Sequence, residues 1–287
     1  MEKQTFNVGN RMYLVGLVLI LAQLACLSMP LPRLALPTST SIQSTPTLPG
    51  VTPVPTETPA LNKPEGTLRL FQQVTLMEES YSESGDGPVY TLETNTPVLE
   101  GSDDQRALEF NRQAALVVEE MVADFKSGFE YLSTEPLSAG SFFQVTFRQL
   151  APPGDILSIQ FGVDGYSDGA AHPYHWTRTL NFDLETGQVL SLDALFLPDS
   201  DSLTLIADFC RAELSTRDIG FEYGFESGAD PLPDNYRNWN LTYEGLLITF
   251  DEYQVAAYAA GMQQVLVPYS ALETIAAPDG PLTKINP

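Results

Sequence analysis

The chain contains only two histidines, and both lie in the segment DGAAHPYH, which spans residues 168–175. Together with Asp164 they offer the nitrogen and oxygen donors that a zinc site uses. Because His172 and His175 lie on either side of Pro173, no helical spacing places the two rings on one face, and the spacing fixes no third ligand. We therefore predict that the histidines anchor a loop through hydrogen bonds, and we expect no metal site and no cofactor.

Nucleophilic catalysis has little support in the sequence. The chain has no glycine-rich phosphate loop. Cys210 falls on the apolar face of a predicted helix, which is typical of a buried core thiol. The 37 acidic residues form so many pairs that no pair points to glycoside hydrolysis. We predict no catalytic residue and no enzymatic activity; a carbohydrate-active, peptidoglycan-directed hydrolase and a passive structural lipoprotein are the alternatives.

Aromatic side chains interleaved with acids favour a binding surface. The formal net charge of −23 excludes nucleic-acid partners and attracts basic proteins, although acidity also serves solubility. Aromatic anchors inside an acidic rim suit a basic protein partner, whereas packing in the core is the alternative role of these rings. The predicted ligand-binding residues are Tyr166, Asp168, His172, Tyr174, Trp176, Trp239 and Tyr253.

The first 28 residues have the pattern of a targeting segment, with two basic residues followed by an apolar run. Leu24-Ala25-Cys26 resembles the end of a lipoprotein signal, with Cys26 as the lipidated residue. Cleavage by an ordinary signal peptidase and an uncleaved membrane anchor are the alternatives. All three predict an extracytoplasmic protein that is anchored to the cell membrane or secreted.

A change in composition divides the rest of the chain. Residues 29–65 are rich in Pro, Ser and Thr, which predicts a disordered, semi-stiff linker because too little apolar surface is available for burial. Residues 66–180 and 181–277 are predicted to form an N-terminal and a C-terminal α+β module.

Hydrophobic periodicity predicts an α+β fold with antiparallel sheets packed against two main helices. The first helix follows Ser102, which has the position of a capping residue, and the second covers 201–215. The predicted inward-facing residues of the first helix are Ala107, Phe110, Ala114, Val117, Met121 and Phe125. The predicted strands are 67–81, 88–96, 142–150, 156–163, 176–182 and 263–267, with a hairpin that turns at Glu244-Gly245.

Long motifs in the second half resemble a known bacterial family. The motifs are YSDGAAHP at 166–173, LNFDLETGQVLSLDALF at 180–196 and WNLTYEGLLITF at 239–250, with VPY at 267–269. Together they resemble the extracytoplasmic region of RsiV-type anti-sigma factors, which bind lysozyme. The preceding part, from Thr67 to about Tyr166, resembles a module that also precedes the catalytic domain in a type of peptidoglycan deacetylase.

The resemblance implies a binding or sensing protein whose partner is lysozyme or, as the second choice, peptidoglycan. The sequence departs from the family pattern at Ala170, where members commonly carry a glycine. Anti-sigma activity is not expected, because only residues 1–11 would lie inside the cell. Eleven residues are too few for an interface of roughly 800 Å² per partner.

Overall fold

The computed structural model describes residues 69–132, 137, 139–150 and 154–285. The predicted targeting segment 1–28 with its candidate lipidation site Cys26, and the predicted linker 29–65, lie outside the described residues. Within the ranges described, no helix is both long and apolar enough to cross a membrane.

The described residues form an α+β fold, as predicted, with two sheets and two main helices. The strands of the first sheet, in spatial order, are β1 (Thr75–Asp86), β2 (Val89–Glu100), β3 (Ser141–Leu150), β4 (Ile156–Tyr166), β5 (Tyr174–Asp183) and β6 (Gln188–Val189). The strands of the second sheet are β7 (Trp239–Leu241), β8 (Gly245–Phe250) and β9 (Gln263–Pro268). The helices are α1 (Gln105–Ser127), α2 (Ser202–Leu214) and the short α3 (Pro281–Ile285).

One strand pair departs from the antiparallel pattern. β2 and β3 are parallel, whereas all other neighbouring strands are antiparallel. A parallel pair requires a crossover connection, and the chain between these strands contains α1. The described residues also form short 3₁₀ helices: Leu70–Gln72, Gly128–Tyr131, Asp193–Leu195, Phe221–Tyr223, Glu226–Ala229, Pro233–Tyr236, Tyr258–Ala260, Tyr269–Ala271 and Glu273–Ile275.

The helix α1 covers one face of the first sheet. Its cap is Asp104, whose Oδ1 accepts the backbone N–H of Arg106 at 2.9 Å, and not Ser102 as the sequence pattern predicts. Five of the six predicted inward-facing residues are buried, while Val118 takes the buried position expected for Val117. Val117 packs at the edge of the same core. The 3.6-residue period of the sequence therefore locates the buried face to within one residue.

The strand β4 is buried on both faces, and its two faces differ in chemistry. Ile159 and Phe161 pack in the core beneath α1. Ser158 and Gln160 face the second sheet: the Ser158 hydroxyl accepts from Asn240 Nδ2 at 2.9 Å, and Gln160 Nε2 donates to Thr249 Oγ1 at 2.9 Å. Buried polar groups are tolerated only when they are paired, so this layer holds the two sheets together in one register.

A second core lies between α2 and the second sheet. Ile206, Cys210 and Leu214 of α2 are fully buried in it, together with apolar residues of β8 and β9. The predicted boundary between the N-terminal module (66–180) and the C-terminal module (181–277) falls within β5. The division into two modules stays a prediction. β5 is thus the strand that pairs within the first sheet and also touches the second, and one face of it carries the candidate site.

Candidate functional site

A cleft of about 510 Å³ opens beside β5, between the C-terminal part of α1 and the loop that follows β8. Its lining combines aromatic rings, acids, two histidines and two arginines. The lining residues are Asp124, Phe125, Phe143, His172, Tyr174, His175, Trp176, Arg178, Arg237, Asp251, Glu252 and Tyr253.

Strand alternation places three of these side chains in a row. Tyr174, Trp176 and Arg178 occupy every second position of β5, so they share one face of the strand. The Tyr174 ring lies against Gly165, its cross-strand partner on β4, so closely that an added Cβ atom would collide with that ring. Burial raises the pKa of Tyr174, so its phenol stays neutral. Gly165 therefore provides the space that the cleft-facing tyrosine occupies.

Two carboxylates from the loop after β8 cap the exposed edge of β5. Asp251 Oδ1 accepts both the backbone N–H and the hydroxyl of Thr177, each at 2.8 Å, and Glu252 Oε2 accepts the backbone N–H of His175 at 3.1 Å. Asp251 is buried and also accepts from Asn238 Nδ2 at 3.0 Å. Because unpaired strand edges attract further strands, these acids close the edge and at the same time form one wall of the cleft.

His175 lies between two carboxylates. Its Nδ1 is 2.9 Å from Glu252 Oε1, and its Nε2 is 3.2 Å from Asp164 Oδ1. A neutral imidazole has one N–H and can donate to only one of them, whereas an imidazolium donates to both. The ring therefore joins β4 to the loop after β8, which agrees with the anchoring role that the sequence predicts.

His172 is anchored in a different way. Its Nδ1 lies 2.7 Å from the carbonyl oxygen of Pro173, which can only accept, so Nδ1 carries the proton. In the neutral ring Nε2 then accepts from the Tyr253 hydroxyl at 3.1 Å. Tyr253 has a φ of 65°, a left-handed conformation that is costly for a tyrosine. Residues held in such strained conformations occur more often at functional sites than in the rest of a protein.

The arginines give the cleft its positive side. The Arg178 guanidinium carbon lies 4.5 Å from the centroid of the Trp176 ring, a cation–π arrangement, and Nη1 donates to the Thr177 carbonyl at 2.9 Å. Burial and the neighbouring Arg237 lower the pKa of Arg178 from its ordinary value. Arg237 Nη2 is 3.6 Å from Asp251 Oδ2. This chain is strongly acidic as a whole, so two guanidinium groups in one cleft are a distinctive feature.

The structure brings four of the seven predicted ligand-binding residues together: His172, Tyr174, Trp176 and Tyr253 line the cleft. The other three lie elsewhere. Tyr166 stacks against Phe142, Asp168 accepts the backbone N–H of Leu137, and Trp239 is buried in the second core.

Sequence reasoning missed several lining residues. Arg178 has a signal that points to it, because it continues the alternation of Tyr174 and Trp176 along one strand. No signal in the sequence points to Arg237 and Asp251. They lie 59 and 73 residues beyond Arg178 and reach the cleft through the packing of the second sheet. Across the part of the chain that the structure describes, no group of three or more His, Cys, Asp or Glu is arranged to hold a metal ion.

Fold and cleft together define an α+β domain with a mixed-charge cleft. Residues 193–270 match the family described as "Protein of unknown function (DUF3298)". The chain shares its fold with two solved structures of that family. One is from Bacteroides fragilis (17% identity, TM-score 0.58, 74% of this chain and 97% of that one). The other is from Pseudomonas aeruginosa (14% identity, TM-score 0.51, 71% of this chain and 94% of that one).

Three curated relatives are similar over part of the chain. Peptidoglycan-N-acetylmuramic acid deacetylase PdaC of Bacillus subtilis is 24% identical over 66% of this chain and 40% of its own length. An esterase of Mycobacterium tuberculosis is 31% identical over 38% of this chain and 47% of its own length. The immunogenic protein MPT64 of the same species is 28% identical over 46% of this chain and 57% of its own length. The chain thus spans about half the length of these relatives. The resemblance to a peptidoglycan deacetylase is confirmed, and that to RsiV-type anti-sigma factors stays a prediction.

Proposed function

We propose that this protein recognises a cell-envelope ligand outside the cytoplasm, and that the ligand binds in the cleft beside β5. The observation that carries the proposal is the cleft itself, in which aromatic rings stand next to charged side chains that hydrogen bonds already hold in place. A pre-organised wall favours recognition, because binding then orders few side chains. The targeting pattern of residues 1–28, with Cys26 as a candidate lipid attachment site, supports the location.

A peptidoglycan glycan is the ligand that we favour. Sugars present apolar ring faces together with hydroxyl and amide groups, and the cleft offers Trp176 and Tyr174 beside polar side chains. The similarity to a protein named as a peptidoglycan deacetylase supports this choice. A lysozyme-like basic protein is the second candidate, favoured by the net charge of −23, which attracts cations over long distances.

We propose recognition without catalysis. The cleft acids Asp251 and Glu252 are engaged with backbone N–H groups of β5, and this gives both of them a structural role. A hydrolase that uses the same acids is the competing proposal, and a passive lipoprotein is the third.

The test is a titration of the purified full chain with soluble muropeptides, followed by calorimetry. We expect saturable binding that weakens at least about tenfold in Trp176→Ala and in Tyr253→Asn, because aromatic anchors carry much of the energy of such contacts. Asn tolerates the left-handed conformation of residue 253, so this second variant removes the ring with little backbone cost. Tyr243→Ala is the matched control, since Tyr243 is exposed and does not line the cleft.

The same experiment distinguishes the competing proposals. Mass spectrometry of the muropeptides after incubation reports cleavage or loss of acetyl groups, either of which would establish a hydrolase. Lysozyme that binds at molar salt, where the Debye length is about 3 Å, would favour the second candidate. Absence of binding to both probes would leave the passive lipoprotein.

A further inference from the structure

Arg178 is held in place on an aromatic platform. It lies over the Trp176 ring and donates Nη1 to the carbonyl of Thr177, and both contacts come from its own strand. A guanidinium group carries five N–H donors. The hydrogen bond to Thr177 uses one of them, so the remaining edge of this partly buried group is available to a ligand in the cleft.

No carboxylate neutralises Arg178 directly. Among the described residues it forms no ion pair, whereas Arg237 lies near Asp251 and His175 lies between Asp164 and Glu252. Asp251 already accepts three hydrogen bonds, from Thr177 and Asn238. Arg178 therefore has no carboxylate in direct contact, whereas Arg237 has Asp251 at 3.6 Å.

The surroundings limit the anion that fits. Asp124 and Glu120 of α1 act on Arg178 from the other wall, and the molecule as a whole is strongly acidic. A polyanion would meet repulsion from these acids. One carboxylate on an otherwise neutral, polar ligand avoids that repulsion and matches the planar, bidentate geometry of a guanidinium group.

We propose that Arg178, assisted by Arg237, forms a subsite for a single carboxylate carried by a sugar-based ligand. The inference rests on the proposed function, because it assigns one chemical group of the glycan to one end of the cleft. The carboxylate has two possible sources in peptidoglycan fragments, the lactyl group of the sugar and the end of the attached peptide.

Three probes test the subsite on the full chain by NMR titration. N-acetylmuramic acid carries the free lactyl carboxylate, N-acetylglucosamine lacks the lactyl group, and muramyl dipeptide has the lactyl group in an amide and its carboxylate on the peptide. We expect one of the two carboxylate probes to bind about ten- to a hundredfold more tightly than N-acetylglucosamine, the range expected for charge-assisted hydrogen bonds. The tighter of the two identifies the source of the carboxylate.

Variants assign the effect to the arginines. Arg178→Gln should remove the preference for the carboxylate, so that the carboxylate probes bind no more tightly than N-acetylglucosamine, and Arg237→Gln should reduce the preference in part. Arg112→Gln is the matched control, because Arg112 pairs with Glu109 on the exposed side of α1 and does not line the cleft. Unfolding midpoints of all variants confirm that they fold.

Other outcomes would overturn the subsite. Equal affinity for the three probes, or an equal loss of all three in Arg178→Gln, would refute it while leaving glycan recognition intact. Tight binding of heparin that depends on Arg178 would contradict the selection against polyanions. If neither these probes nor larger muropeptides bind, glycan recognition fails, and the subsite fails with it.

Discussion

Replacing Asp251 with alanine should destabilise the protein, because one buried carboxylate serves several donors. Its side chain accepts the N–H and the hydroxyl of Thr177 and one N–H of Asn238. All three residues are at most 8% exposed, so water does not replace the lost partner. Asn238 is the most affected, since its Oδ1 is already buried without a hydrogen-bond partner.

The magnitude follows from the donors that are left unpaired. The Thr177 hydroxyl can rotate, but the Thr177 N–H and Asn238 Nδ2 cannot leave their positions. A buried donor without a partner costs about 1–3 kcal/mol, so we expect a loss of about 3 kcal/mol for Asp251→Ala. The loss of the partly exposed contact with Arg237 adds less than about 1 kcal/mol.

Asp251→Asn should cost much less, about 1 kcal/mol. Its carbonyl oxygen still accepts from Thr177, and its new NH₂ group meets Asn238. If the Asn238 amide turns over, its Oδ1 accepts from that NH₂ group, so Asn238 Nδ2 is the one donor that loses its partner.

Urea unfolding followed by circular dichroism measures these differences, with the slope m unchanged between variants. Asp124→Ala is the matched control, because Asp124 is an exposed acid of the same cleft; it should change stability by less than about 0.5 kcal/mol. A loss in Asp251→Ala as small as in this control, or a loss in Asp251→Asn as large as in Asp251→Ala, would refute the reasoning.

Three further predictions concern other residues. Gly165→Ala should displace the Tyr174 ring and weaken ligand binding with little loss of stability, because the added Cβ meets the far end of that side chain. Calorimetry measures the binding and unfolding curves measure the stability. Unchanged binding would contradict the prediction. Lys126, Tyr90 and Tyr81 lower the pKa of Glu83 from 4.5 to about 2, so Glu83 stabilises the fold above pH 4.5 and this contribution disappears as the pH falls towards 2. The difference in melting temperature between wild type and Glu83→Gln should therefore shrink over that window, and a constant difference would refute it. Burial raises the pKa of the Cys210 thiol to about 12, so in a Cys26→Ser variant iodoacetamide at pH 8 should label the protein only after unfolding.

The sequence predicts the elements whose signal is local. The buried face of α1 follows from the spacing of six apolar residues, and the hairpin between β7 and β8 follows from the turn signal at Glu244-Gly245. These features depend on neighbours three or four residues away. The N-cap was misplaced by two positions because Ser102 and Asp104 are both good capping residues, and only the geometry distinguishes them.

The surroundings of β4 could not be predicted in the same way. Ser158 and Gln160 alternate with apolar residues, which is the pattern of a strand with one face in water. In the structure this polar face meets Asn240 and Thr249 of the second sheet, some 80 to 90 residues further along the chain. A period of two identifies the faces of a strand but does not say what covers them. The cleft depends on this covering, since it brings Asp251 and Arg237 to β5.

Charge acts on this protein at two distances, and the two distances favour different ligands. The net charge of −23 produces a field beyond the surface that would attract any basic protein, but salt screens this field over a Debye length of about 8 Å at physiological ionic strength. Arg178 acts only within the cleft, where the Trp176 ring and the strand hold it in place. Salt weakens the long-range attraction far more than contacts inside a partly buried site. Recognition by overall charge is therefore expected to disappear at high salt, whereas recognition by the cleft persists.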